Sequence, residues 1–215
     1  MKLSVMLEQL SSGMLRSMEI FFLTLIFSLP LGLLISFGRM SKNKILRTII
    51  KVYISVMRGT PLMLQLLVVA YGPFYLFGFG VARNKLIPII IAFAMNYAAY
   101  FAEIYRGGIE AMPVGQYEAA AVLGYSKFQT FMRIILPQVV KHILPSITNE
   151  VITLVKDTSL AFTLAYQEMF SIGKQIANSQ TSFMPFVIAG VFYYVFNMVV
   201  AFVMNRLEHC LDYYR

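Results

Sequence analysis

The sequence predicts an all-α integral membrane protein with five transmembrane helices, and three features carry that expectation. Of its 215 residues, 59% are hydrophobic and 13% charged, against about 45–50% and about 25% in soluble domains. Five stretches stay apolar over the roughly 20 residues that ~30 Å of hydrocarbon requires at ~1.5 Å per residue. Lys and Arg crowd into alternate connections between them. This balance excludes a soluble enzyme, a secreted disulfide scaffold and a disordered tail. Cys210 is the only cysteine, so no internal disulfide can form. The net charge of +8 is not read as a nucleic-acid footprint. In a membrane protein the placement of Lys and Arg matters more than their sum.

The first span covers residues 20–37. Its apolar run is too long for a signal peptide, lacks a small-residue cleavage site, and ends in Arg39, Lys42, Lys44 and Arg47. It reads as a retained helix. The second span covers residues 60–79, with Thr60 as N-cap, Pro61 in the first turn and an interruption at Gly72-Pro73. The third covers 86–105, the fourth 134–155, and the fifth 183–204 with Pro185 near its start. Six cations and no acid lie between spans one and two: Arg39, Lys42, Lys44, Arg47, Lys51 and Arg58. After span two come only Arg83 and Lys85, and after span three Arg106, Lys127 and Arg133. The positive-inside rule places the N-terminus outside and the C-terminus in the cytoplasm. The pattern holds no internal repeat and reads as one membrane domain, residues 13–210.

Two inner segments have structure of their own. In residues 44–58, Lys44, Arg47, Lys51 and Arg58 share one helical face, while Ile45, Ile49, Val52 and Val56 share another. The pattern fits either a helix lying in the inner interface or a plain positive-inside loop. Residues 107–133 are far longer than an ordinary connection and place Tyr117, Ala120, Ala121, Gly124, Phe128 and Phe131 at helical spacing. Such a stripe either docks a partner or packs under the protein's own spans.

The same segment carries a family resemblance. Glu118-Ala119-Ala120, the downstream Gly124 and Ile135-Leu136-Pro137 resemble the EAA motif of ABC importer permeases. Four further runs resemble the polar amino-acid uptake branch, with its histidine-, glutamine-, arginine- and cystine-type permeases. These are Arg58-Gly-Thr-Pro-Leu62, Ala102-Glu-Ile-Tyr-Arg-Gly-Gly-Ile109, Gly115-Gln116 and Lys156-Asp-Thr-Ser-Leu160. The resemblance implies the type I ABC importer transmembrane fold in a bacterial inner membrane. It also implies a second permease subunit, identical or paralogous, an extracytoplasmic amino-acid-binding protein, and a pair of ATPase subunits that bind ATP and Mg. Glu118, Ala119, Ala120, Gly124, Leu136 and Pro137 would then couple the chain to an ATPase.

Polar residues at bilayer depth cost about 2.5–3.5 kcal/mol each on insertion scales and need a reason. In span four, His142, Ser146, Asn149, Thr153 and Lys156 form one seam, with Glu150 beside it. The seam either lines a substrate pathway through Ser146, Asn149, Glu150 and Thr153, or supplies interhelical hydrogen bonds. In the pathway reading Glu150 meets a cationic group of the substrate. Glu103 and Arg106 either pair with each other or serve a gate. Asn96 reads as helix-packing glue, Tyr193, Tyr194 and Phe196 as lipid-facing or core filler, and Lys156-Asp157 as the outer end of span four. No G-x-x-x-x-G-K-[ST] run is present, and the sequence shows no nucleophile motif, dinucleotide fingerprint or metal-ligand cluster. The chain is therefore expected to be no enzyme, to hold no cofactor, and to rely on its partners for ATP hydrolysis. An ion-gradient carrier and a non-transporting membrane sensor are the competing functions.

Overall fold

The computed structural model describes residues 2–80 and 83–211, which are helical almost throughout and joined by short connections. The helices are α1 (Leu3–Arg39), α2 (Lys44–Gly59), α3 (Leu62–Phe77), α4 (Leu86–Glu110), α5 (Val114–Val122), α6 (Lys127–Thr130), α7 (Leu136–Asp157), α8 (Met169–Gln180) and α9 (Met184–Cys210). A π turn, Phe131–Ile135, leads into α7, and a 3-10 turn, Thr158–Leu164, leads out of it. By length and composition α1, α4 and α9 can each cross a membrane, as can α2 and α3 taken together as one bent span. Helix α7 is long enough but carries Lys141, His142, Glu150, Lys156 and Asp157.

Helix α1 is longer than the first span alone requires. Its 37 residues extend about 55 Å, and its first third packs against α8, burying Met6, Leu10, Gly13 and Ser17. Lower down, Thr24, Ser28, Gly32 and Ser36 recur every fourth residue and are all buried. Small residues at that spacing let two backbones approach closely in a membrane. Opposite them α4 presents Ala94, Ala98 and Ala102, also buried and also four apart. A Cβ added at Gly32 would lie 2.8 Å from Phe101 Cβ, so the two helices touch nearly backbone to backbone.

The α2–α3 pair bends by 112° across Thr60 and Pro61. Asn43 caps α2, its Oδ1 accepting from the Ile45 and Leu46 amides at 2.9 and 3.3 Å. Ile50, Tyr53, Ile54 and Met57 turn inward against Ala99 and Ala102. Ile45, Ile49, Val52 and Val56 all point away from the protein. The helix thus packs along α1 and α4 by one face and offers a second apolar face to lipid, which a plain loop would not do. Two local expectations are corrected. Thr60 ends α2 rather than capping α3, because its hydroxyl donates back to the Val56 carbonyl at 2.8 Å. Pro73 sits inside α3 without ending it, and the helix stops at Gly78, whose left-handed backbone turns the chain.

A break in a buried helix frees carbonyls that must find donors. Here Asn96 Nδ2 on α4 donates to the Met57 carbonyl and to Gln65 Oε1, both at 3.0 Å. Gln65 Nε2 in turn donates to Met57 O, Thr60 O and Thr60 Oγ1 at 3.0, 3.2 and 2.8 Å. Asn96 is glue of a specific kind, a clamp on a broken span.

Helix α7 lies along α4, with Tyr97 Oη donating to Asp157 Oδ2 at 2.7 Å. Ile135, Val139 and Ile143 form one cluster with Ile104, Ile109 and Met112. That cluster reaches past the charges Glu103, Arg106 and Glu110. Helix α7 covers the expected stretch of 134–155 to within two residues, residue 134 falling in the π turn before it, and the chain stays buried at Thr158, Ala161 and Leu164 of the 3-10 turn. Lys156 and Asp157 therefore end the α-helix without ending the buried path. Replacing Asn96 with Ala removes its two donations at the break and leaves Gln65 Oε1 without a donor. It is expected to cost about 1–3 kcal/mol, read as a lowered unfolding midpoint in detergent, while Leu64→Ala on the exposed face changes it little.

Candidate functional site

The polar seam of α7 turns out of the subunit. His142, Ser146, Asn149, Thr153 and Lys156 are all exposed, while the opposite face buries Val139, Ile143, Val151, Leu154 and Val155. Along the seam Thr153 Oγ1 donates to the Asn149 carbonyl at 2.9 Å, which leaves the Asn149 side chain open. Glu150 sits at the seam's edge, half-buried, with no hydrogen bond or ion pair among the described residues. Its electrostatic neighbours are Arg58 and Asp157. Arg58 projects from the end of α2, its guanidinium 5.1 Å from the centre of the Tyr100 ring and exposed on its other side.

The break at Gly59–Pro61 thus brings to the edge of the seam a cation that sequence reading placed in a topology signal and a family run but not beside Glu150. Its position immediately before Gly-Thr-Pro was the available clue. His142 stands apart, beside Arg133, Gln138 and Lys141, in a cavity of about 1000 Å³ at the other end of α7.

Glu103 and Arg106 lie away from the seam, in a charge cluster between α1 and α4. Arg106 forks its Nε and Nη2 onto both Glu103 oxygens and reaches Glu110 with Nη1, and Arg39 Nε comes within 3.7 Å of Glu103 Oε1. One turn of helix places these side chains on the same face, as i,i+3 and i,i+4 spacing requires.

Residues 107–133 form a protruding knuckle. The expected single stripe is corrected to two short helices, because the chain reverses at Gly124 with φ +77°. That left-handed residue closes α5 by a Schellman pattern, Tyr125 N donating to Ala120 O and Gly124 N to Ala121 O at 3.0 Å each. A capping box at Ser126 and Gln129 then starts α6. Gly124 has open space where a Cβ would go, so its requirement is conformational rather than close packing. Ala120 is buried, and Glu118, Ala119, Ala121 and Gly124 are exposed. Around them Val114, Val122, Leu123 and Phe128 stand 69%, 88%, 73% and 73% exposed, too much apolar surface for a face that meets only water. Leu136 and Pro137 open α7 directly behind the knuckle, and Gln138 Nε2 ties back to Gln116 Oε1 at 3.4 Å.

This helical bundle, with its bent α2–α3 pair, outward polar row and apolar knuckle, matches the type I ABC importer membrane fold. The chain is similar in structure to an amino acid ABC transporter solved with histidines. The TM-score is 0.87 and the identity 29%, covering 97% of this chain and 98% of that one. In sequence it is 35% identical over 208 residues to the L-cystine transport system permease protein TcyB of Bacillus subtilis (strain 168), covering 95% of this chain and 87% of the relative. It is 38% identical over 200 residues to the octopine transport system permease protein OccM of Rhizobium radiobacter, covering 86% and 80%. The chain belongs to the family of binding-protein-dependent transport system inner membrane components, which its residues 28–212 match.

The backbone at Gly124 yields a local prediction. Gly124→Ala forces a Cβ into the left-handed region at a cost of about 1 kcal/mol. Amide exchange across residues 114–130 is expected to quicken severalfold. Gly115→Ala, at an exposed position without that constraint, is expected to leave it unchanged or slower.

Proposed function

We propose that the chain is the permease subunit of an ATP-driven importer of polar amino acids. It would cross the membrane five times, N-terminus outside, with α7 and its 3-10 turn as the fourth crossing. The observation that carries this reading is the outward-facing seam of α7. A polar row that turns away from its own subunit, at a depth where lipid would reject it, needs a second polar wall. Another copy or a paralogue supplies that wall, and the two seams enclose the path. Within it Asn149, Thr153 and Ser146 offer hydrogen bonds to a zwitterion, and Glu150 offers charge to its ammonium or to a cationic side chain. Support for an amino-acid substrate comes from the relatives' names and from this arrangement of groups.

The knuckle is the surface for the ATPase. Val122, Leu123 and Phe128 would enter a groove on that partner, with Glu118 and Ala119 at its rim. Leu136 and Pro137 would pass the motion into α7, while an external binding protein delivers the substrate from the opposite side.

Proteoliposomes holding the chain, its ATPase and its binding protein are expected to accumulate amino acid with ATP and not with a non-hydrolysable analogue. Uptake driven by an ion gradient alone would overturn the proposal. Glu150→Gln keeps shape and removes charge. For a cationic amino acid it is expected to weaken apparent affinity by about 1.5–3 kcal/mol, the scale of a hydrogen bond to a charged group, and an unchanged affinity across cationic and neutral substrates would make Glu150 structural. Leu123→Asp places a charge at the centre of the knuckle and is expected to abolish copurification with the ATPase while membrane insertion stays normal.

A further inference from the structure

Away from the seam, one acid is fully enclosed. Glu168 precedes α8 with none of its surface exposed. Its carboxylate accepts from the Phe170 and Ser171 amides at 2.7 and 2.6 Å and from Tyr193 Oη on α9 at 3.1 Å. Ser17 of α1 stands beside it, its hydroxyl donating to the Gly13 carbonyl at 3.3 Å and accepting from Met169 N at 3.2 Å. Tyr193 also meets Ser17 and Thr158. Three elements of the bundle therefore converge on one carboxyl group, α1, α8 and α9, and the 3-10 turn reaches it only through Tyr193.

Every group that touches Glu168 is neutral. The charged groups of the surrounding elements are engaged elsewhere or point away. On α1, Arg16 donates to the Gln167 carbonyl at 3.5 Å and Glu19 accepts from Tyr166 at 3.3 Å. On α8, Lys174 sits 5.3 Å from the centre of the Phe162 ring. At the end of α7, Asp157 is held by Tyr97 and Lys156 is exposed. Beside this junction a cleft of about 590 Å³ opens between α1 and α8, lined by Gln9, Ser12, Arg16, Gln167, Gln175 and Ser179.

We propose that Glu168 is a proton-operated clasp: while neutral it holds α8 against α1 and α9, and when it loses its proton to water in the adjoining cleft it lets α8 part from them. The neutral acid donates to Ser17 and accepts from the two amides and Tyr193, so all its bonds are made without charge. The anion keeps the donors but has no cation to offset its burial. Burial accordingly lifts Glu168 from the usual 4.5 to about 7, against the lowering effect of its donors. An acid raised in the clasped form favours that form fully below pH 4.5. The advantage declines as pH rises towards about 7, and above that it is gone.

The test measures α8 directly. Cysteines replace Ser12 and Ser179 across the cleft in a Cys210→Ser background, and spin labels on them report the α1–α8 distance for the full chain in lipid nanodiscs. Nanodiscs expose both faces to the buffer, so the result depends on neither the transport reading nor the assigned sidedness. The ratio of parted to clasped molecules is expected to rise about tenfold between pH 6 and pH 8. Glu168→Gln, which keeps the neutral shape, should hold the ratio within twofold across that range. Tyr193→Phe removes a donor that favours the anion and should move the midpoint to higher pH. A wild-type distance that ignores pH, a Glu168→Gln variant that follows the wild-type curve, or a Tyr193→Phe midpoint that stays or falls would each overturn the proposal.

Discussion

A helix cannot break inside hydrocarbon unless the carbonyls it frees find donors, and the arrangement of this chain follows from how that demand is met. Asn96 and Gln65 bridge Met57 and Thr60 across the bend between α2 and α3. No other polar side chain of α4 is so placed, since its neighbours Phe93, Ala94, Ala98 and Ala99 are apolar and buried. With the bend fixed to α4, the end of α2 is fixed as well, and Arg58 is carried to the Tyr100 ring and the field of Glu150. An uninterrupted helix would run on past that point and carry Arg58 away from Glu150.

The clamp in turn needs a rigid post. Helix α4 supplies it by packing on α1 through rows of small residues, Thr24, Ser28, Gly32 and Ser36 against Ala94, Ala98 and Ala102. Lipid gives no hydrophobic drive between helices, so contact must come from close approach and dispersion. One face of α4 is spent on α1, another on α2 and α3, and a third on α7. Helix α7 can then bury only its apolar side, which is why its polar side faces outward.

The outline of this fold was legible from composition and charge placement alone. Apolar length marks α1, α4 and α9, and the Glu118-to-Pro137 run marks the knuckle. Other features were hidden for physical reasons. The break between α2 and α3 lies in Arg-Gly-Thr-Pro, which reads equally well as a loop followed by a helix start. Only the donors on Gln65 and Asn96, five and thirty-six residues beyond Thr60, show that it is held within the bundle. Ile134 and Ile135 are as apolar as the rest of the expected stretch, yet they lie in the π turn and pack beyond the charges of Arg106 and Glu110. A helix-length window cannot tell a buried inner extension from lipid-facing length. Gly124 carries the family motif, but its left-handed backbone, which divides the stripe in two, is not encoded in helical spacing. Glu168 gave no sequence signal because its side-chain partners, Ser17 and Tyr193, come from α1 and α9.

The knuckle and the seam are mechanically one body. Ile135, Val139 and Ile143 wedge between the base of the knuckle and the end of α4, where Gly108 leaves room for the Ile143 side chain. Gln138 is tied to Gln116, so the root of α5 and the first turn of α7 move together. Pro137 sits at the start of α7, where its missing amide costs no helical bond. A force on Val122, Leu123 or Phe128 therefore reaches α7 and α4 at once, while the same α4 holds the clamped break beside Arg58. Helix α7 and the bent α2–α3 pair both pack on α4, so the coupling proposed for the knuckle would reach the seam and the bend through one post.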